Sequence, residues 1–242
     1  MGEQNYLIIK NVNLPFLNSD VKEYLLTLDF TGKSVAQFCC NNGRELLSLM
    51  QLGAKNGIGF DIAESIISQA NETADKGGIS NCKFEACNIL DIPSSYHESF
   101  DFIFFTIGAI TWFQDLFLLF SKVEKCLKPS GLVLINDFHP LVNMLPLPGD
   151  DCFDAKTLNK SEYSYFKKES WIENDGMWYM TTEYSSKTFA SFSRPMANII
   201  NALSKNGVKT IPLNENDYDI GMTDAYDGKG FPLSFTLVAQ KY

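Results

Sequence analysis

Residues 34–61 read SVAQFCCNNGRELLSLMQLGAKNGIGFD, and this stretch decides the fold. Val35 to Cys39 is a short apolar run suited to a buried strand. Cys40 to Gly43 is small and polar, as a backbone reversal needs. Leu46, Leu47, Leu49 and Met50 then recur at helical spacing, and Gly53 supplies a stop. Gly57 to Phe60 reads as a second strand, closed by Asp61. Strand, loop, helix and strand make a βαβ unit, whose parallel crossover is almost always right-handed. A loop that opens a helix at the carboxyl end of a first strand is where such sheets bind nucleotide-like ligands. Asp61 lies 18 residues beyond Gly43, a spacing at which a carboxylate can accept hydrogen bonds from both ribose hydroxyls. The loop by itself is also compatible with a plain tight turn, because Cys39 and Asn41 stand where glycines are usual.

The units on either side repeat the pattern. Upstream, Asn18 or Ser19 can cap a helix carrying Val21, Leu25 and Leu28, which either covers a sheet edge or closes over a ligand. Downstream, Ile62, Ile66, Ile67, Ala70 and Ala74 fall on one helix side, and Gly77-Gly78 ends it. Cys82 to Cys87 is a third strand, followed by Asn88 and Ile89, which are either a turn or a pair able to read an adenine edge. Phe100 to Phe105, FDFIFF, is apolar enough for a central strand buried on both faces, and Thr106 leaves it. A helix over Asp115 to Leu127, a turn at Lys128 to Gly131, and a fifth strand at Leu132 to Ile135 follow. The alternation predicts an α/β fold with an open parallel sheet and helices on both faces. Asn41, Asp61, Asn88, Thr106 and His139 then all fall at one rim, the carboxyl ends of the strands.

Residues 141–192 break the pattern. This aromatic-rich stretch includes Tyr163, Trp171, Trp178, Phe189 and Phe192, and Asn174-Asp175-Gly176 is a hairpin signal. It reads as an inserted β-rich segment over the rim, within one domain spanning 1–242. Its aromatics line a substrate pocket, pack as core, or form a homodimer face. Ser193 and Pro195 open a further helix. Val208 to Leu213 and Phe235 to Gln240 are two last strands joined by an acidic, mobile-looking loop.

Composition narrows the function. The net charge of −9 over 242 residues, with scattered Lys and Arg, argues against a nucleic-acid substrate. No apolar run approaches the ~18 residues of a membrane span, and the first residues lack a basic-then-apolar leader, so a cytoplasmic protein is expected. The six cysteines have no CxxC spacing, which points to free thiols and no metal site.

Four segments, SVAQFCCNNGRELLSLMQLGAKNGIGFD, CNILDIP, SFDFIFFTIGAITWFQDL and VEKCLKPSGLVLINDFHP, resemble the class I S-adenosylmethionine-dependent methyltransferases, in particular a small-molecule branch. The resemblance covers about residues 30–140 and 193–242. It implies a Rossmann-like sheet of seven strands with the last antiparallel, and S-adenosylmethionine as cofactor. Carried over position by position, Phe38, Cys39, Asn41 and Gly43 belong to the loop that wraps the methionine part. Asp61 holds the ribose, with Ile62 beside the adenine. Asn88 replaces the usual adenine-binding Asp, Ile89 gives a backbone contact, and Phe105 and Thr106 line the methionine end. The family's customary acid in the first strand is here Gln37.

Methyl transfer from a sulfonium needs mainly an aligned nucleophile and exclusion of water. Should the acceptor need to lose a proton, His139 is the candidate base, with Asp137 behind it, while His97 reads as surface. The exit of the fourth strand, FTIGAI, lacks the Asn/Asp-Pro-Pro-aromatic run used on base amino groups, and no Pro-Cys pair suits a pyrimidine carbon. Three hypotheses stand: a methyltransferase acting on a small, partly apolar metabolite; a non-catalytic cofactor-binding sensor or partner protein; and a nicotinamide-dependent oxidoreductase.

Overall fold

The computed structural model describes residues 14–158, 160–173 and 188–242. A seven-stranded sheet organises them, in the order β3-β2-β1-β4-β5-β9-β8. The strands are β1 (Ser34–Phe38), β2 (Asn56–Asp61), β3 (Cys82–Ala86), β4 (Phe100–Phe105), β5 (Leu127–Phe138), β8 (Val208–Asn216) and β9 (Ser234–Lys241). The first five run parallel, β9 is antiparallel to β5, and β8 is antiparallel to β9. Chain order reverses between β1 and β4, so the carboxyl ends of these neighbours open a crevice for a ligand.

β4 shows why its sequence is nearly all aromatic. Successive side chains on a strand point to opposite faces. Phe102 and Phe104 enter one core with Val21, Leu25, Leu46 and Ile67, while Ile103 and Phe105 enter the other with Leu119, Phe120, Ile199 and Leu203. The first core is roofed by α1 (Ser19–Leu26), α2 (Arg44–Leu49) and α3 (Glu64–Gly77), the second by α4 (Leu116–Cys126) and α5 (Met196–Lys205). Asn18 caps α1 by accepting from Val21 N–H at 2.9 Å, and it donates through Nδ2 to Asn136 Oδ1 on β5 at 2.8 Å. The helix therefore packs on a sheet face, with its capped start fastened near the carboxyl end of β5.

Two local expectations change. Lys128 to Gly131 is not a turn between helix and strand. It is an irregularity inside a 12-residue β5, where the pairing jumps from Phe100↔Leu127 to Phe102↔Leu132 and Ser130 takes φ 62°. Pro195 stands at the cap position of α5, and the Ser193 hydroxyl accepts from Trp171 Nε1–H at 2.9 Å instead of capping the helix. The inserted segment 141–192 contributes a separate antiparallel β-ribbon, in line with its expected β character. It holds a 3₁₀ turn at Pro140–Met144 and a two-stranded ribbon of β6 (Trp171–Glu173) and β7 (Phe189–Ser191). The hairpin signal at Asn174 to Gly176 and Trp178 lie outside the described residues.

The stretch between β8 and β9 is packed. Tyr226 is 1% exposed and forms a small third core with Val142, Leu145 and Leu233. Its hydroxyl donates to the Pro146 carbonyl at 2.6 Å, so the chain after β8 and the start of the inserted segment are fastened together.

Candidate donor and acceptor site

A cleft of about 1420 Å³ opens along the rim. Single-ligand pockets usually hold ~300–1,000 Å³, so this one has room for two molecules side by side. Cys39, Asn41, Asp61, Ile62, Asn88, Ile89 and Thr106 line it. These residues come from four strand ends, and only the parallel topology brings them together.

The loop after β1 keeps a glycine-type path without the glycines. Cys39 has φ 57°, Asn41 φ 48° and Gly43 φ 73°. A left-handed backbone costs a non-glycine residue roughly 1–2 kcal/mol, less for Asn. The loop is therefore not reshaped by its two substitutions; it carries their strain. Asp61 helps hold it there, since Oδ2 accepts from Asn41 N–H at 2.9 Å and Oδ1 accepts from Ala63 N–H at 3.1 Å. A carboxylate has about four acceptor positions, so about two remain to face the cleft, as a pair of ribose hydroxyls requires. Ile62 beside it is 72% exposed, an aliphatic face open for a flat ring. Asn88 accepts from Leu90 N–H at 3.1 Å and donates to Asp91 Oδ2 at 3.0 Å, which is the turn-forming role. One Nδ2 hydrogen remains for a ligand.

Three predicted residues do not line the cleft with side chains, and for Phe38 and Gly43 the contact expected is through backbone groups. Phe38 and Phe105 are fully buried and meet edge to face, their centroids 5.6 Å apart, in the core under the cleft. Gly43 serves packing: a Cβ there would sit 2.2 Å from the Phe84 ring. A Cβ at Gly59 of β2 would meet the same ring at 2.3 Å. Both glycines leave room for the Phe84 ring of β3 beneath the loop.

His139 is not placed to act as a base. It is 5% exposed and is not among the cleft residues. Nδ1 accepts from Leu141 N–H at 3.1 Å, so Nε2 carries the ring hydrogen and donates to Glu215 Oε1 at 2.8 Å. Burial holds its pKa below the ordinary value despite Glu215. The imidazole is a neutral brace between the end of β5 and β8. Asp137 does reach the cleft wall, and burial pushes its pKa up to about 6. Its carboxylate accepts from Gly108 N–H at 2.7 Å, Phe138 N–H at 2.8 Å and Ile110 N–H at 3.3 Å. It shapes the turn after β4 and has little spare capacity for a substrate proton. His97 is exposed.

Beyond Thr106 the cleft is walled by Trp112, Phe138, Leu145, Tyr163, Trp171, Phe189 and Met222. The wall is held by specific contacts. Trp112 and Phe189 meet edge to face at 5.5 Å, as do Tyr163 and Trp171 at 4.8 Å. Phe192 N–H donates to the Thr111 carbonyl at 3.0 Å. Arg194 lines the cleft too, but its guanidinium donates to the carbonyls of Gln114 at 2.7 Å, Phe113 at 2.8 Å and Ser193 at 3.2 Å. Sequence reasoning missed Arg194 as a clasp, and it missed Ile220 to Met222 as cleft residues. The aromatics Tyr218, Tyr226 and Phe231 within an acidic loop were the one signal that the latter stretch packs.

Comparison with known proteins agrees with this geometry. The family described as "Methyltransferase domain" matches residues 30–211. A ribosomal protein L11 methyltransferase from Escherichia coli is 36% identical over 59 residues, 24% of this chain and 20% of that protein. The match thus spans about a fifth of the length of such curated relatives. An S-adenosylmethionine-dependent methyltransferase from Mesorhizobium loti superposes with TM-score 0.61 at 16% identity, covering 93% of this chain and 99% of that one. Geranyl diphosphate C-methyltransferase from Streptomyces coelicolor, solved with Mg²⁺, geranyl diphosphate and S-adenosyl-L-homocysteine, gives TM-score 0.63 at 12% identity over 93% of this chain and 78% of that one. No helix among the described residues is long and apolar enough to cross a membrane. The chain belongs to the methyltransferase-domain family, and its fold is that of the S-adenosylmethionine-dependent members.

Proposed function

We propose that the chain takes S-adenosylmethionine in the half of the cleft between Asp61 and Thr106 and methylates a small, partly apolar molecule in the half beyond it. The observation that carries this reading is the continuity of the two halves: a ribose-type carboxylate with an exposed aliphatic at one end opens directly into an aromatic chamber at the other. When bound, the donor supplies a methyl group made electrophilic by positively charged sulfur. The chain's own residues bind, align and exclude water. Asp61 accepts from the sugar, Ile62 and Ile89 flank the base, and Trp112, Phe138, Tyr163 and Trp171 confine the acceptor. Alignment and dryness are the main contributions needed for a transfer whose leaving group is already activated.

A small acceptor is favoured over nucleic acid by the net charge of −9, since a phosphate-tracking groove needs clustered cations. The match to the ribosomal-protein enzyme says little about the acceptor. Its 59 residues cannot reach from Cys39 to Met222, so they cannot include both halves of the cleft. The second reading, a cofactor-binding protein without turnover, draws on the strained loop at Cys39 and Asn41.

Incubation with methyl-labelled S-adenosylmethionine and a panel of neutral aromatic and aliphatic nucleophiles tests the reading. A product heavier by one methylene supports it. Saturable cofactor binding with no transfer across the panel supports the second reading instead.

A further inference from the structure

We propose that the acceptor chamber selects molecules carrying an ammonium group on an apolar body, with Asp150 and the neighbouring aromatic rings as the seat of the cation. The inference deepens the functional reading above and rests on it, since it names the class of molecule that the half beyond Thr106 takes.

The charges around the cleft are unequal. Among the described residues its lining holds four carboxylates, Glu45, Asp61, Asp137 and Asp150, against two guanidinium groups, Arg44 and Arg194, and no lysine or histidine. Both cations are engaged. Arg44 Nε donates to Glu45 Oε1 at 3.1 Å, in the donor half. Arg194 donates to three backbone carbonyls and sits in the field of Asp115. The acceptor half is left with Asp137 and Asp150. Asp137 is 3% exposed and its oxygens accept from the turn after β4, so it supplies a fixed negative field and no contact. Asp150, on the inserted segment, is exposed, and its Oδ2 accepts from Leu147 N–H at 2.8 Å. That occupies one of about four acceptor positions on a carboxylate, and the others are open to a ligand. A cleft with apolar walls and a lining mainly of one charge sign concentrates the field and draws the opposite sign.

The aromatic wall points the same way. An aromatic face is electronegative and attracts a cation that lies within about 6 Å of its centroid. The chain already uses this attraction on the same wall. Lys167, which is not a cleft residue, sets Nζ 4.6 Å from the Trp171 centroid, and the Arg194 guanidinium lies 4.8 Å from that of Phe192. Tyr163 meets Trp171 at 90°, so the two rings form a corner of the chamber. The Tyr163 phenol is pushed up by burial and then by the Asp150 charge, so the field of that carboxylate reaches the corner. An ammonium there gains the carboxylate and the ring faces together. A neutral molecule gains the apolar contact alone, and an anion meets two carboxylates.

Three probes that share one phenethyl body test the inference: phenethylamine, phenethyl alcohol and phenylpropionate, each titrated by ligand-observed NMR into the chain saturated with S-adenosyl-L-homocysteine. The wild type should bind the amine roughly tenfold more tightly than the alcohol, and the carboxylate most weakly. Asp150→Asn keeps an acceptor for Leu147 N–H and should bring the amine down toward the affinity of the alcohol. Asp150→Lys should invert the order of amine and carboxylate. Neither change should alter the affinity for S-adenosyl-L-homocysteine. An amine that the wild type binds no more tightly than the alcohol overturns the proposal, and so does a preference for the amine that survives Asp150→Lys. If the variants do not fold, the order of the three probes on the wild type decides. The donor reading fails separately, by a wild type that does not bind S-adenosyl-L-homocysteine; binding of that nucleoside without a preference for the amine overturns this inference alone.

Discussion

The two halves of the cleft are built in different ways. The donor half hangs on the ends of β1, β2, β3 and β4, and Gly43 and Gly59 leave room beneath it for one phenylalanine ring. The acceptor half is assembled from stretches far apart in the chain: Trp112 and Phe138 after two strands of the sheet, Leu145, Tyr163, Trp171 and Phe189 from the inserted segment, and Met222 after β8, with a small core around Tyr226 joining the last two. One half inherits its shape from the sheet. The other must be fastened by individual contacts, such as the Arg194 guanidinium on the Phe113 and Gln114 carbonyls. Parts held by few contacts open at lower free energy than the core to which they are attached. The halves should therefore respond to different substitutions.

The largest effect is expected in the donor half. Gly43→Ala puts a methyl 2.2 Å from the Phe84 ring at a backbone φ of 73°. Overpacking and left-handed strain together should cost about 2–4 kcal/mol, read as a lowered midpoint in denaturant melts. An unchanged midpoint would mean that the loop does not rest on β3 as described. Next comes the acceptor half. Tyr226→Phe removes the donor to the buried Pro146 carbonyl, a loss of about 1–2 kcal/mol. Amide exchange over 141–158 and 217–233 should quicken by about tenfold, with affinity for S-adenosyl-L-homocysteine unaltered. Coupled loss of that affinity would erase the distinction between the halves.

A smaller effect separates a brace from a base. Burial lowers the folded pKa of His139, so its contribution to stability is present above the unfolded value near 6.5 and is lost as pH falls through the folded value. Asp137 has the opposite sign: its folded pKa is raised to about 6, so the contribution is present below ~3.8 and lost as pH rises through 6. Replacing His139 by Asn should flatten the acid side of the stability profile between pH 7 and 5 while methyl transfer persists. Transfer that vanishes with the fold intact would return His139 to the role of base.

This contrast also explains what could be read from the chain alone. Phe100 to Phe105 predicts a two-faced central strand because strand geometry is local, and β4 has those bounds. Asp61 and Thr106 could be placed at the rim because a parallel alternation fixes where strands end. Phe105 was assigned to the methionine end by position, yet alternation along its strand turns the ring into the core. The role of His139 was not legible, since its partners Leu141 and Glu215 are set by tertiary pairing and not by spacing. The acceptor wall was legible only as an aromatic-rich stretch. Which aromatics face the cleft depends on Arg194 and Tyr226, whose contacts cross some 80 residues of chain.

The central claim is that a sulfonium nucleoside occupies the donor half with its sugar held by Asp61. Titration of the wild-type chain and of Asp61→Ala with S-adenosyl-L-homocysteine tests it most directly. One equivalent should bind the wild type, and the variant, still folded, should bind more weakly by about 1–3 kcal/mol. No heat with the wild type, or an affinity that ignores the loss of Asp61, would contradict the account.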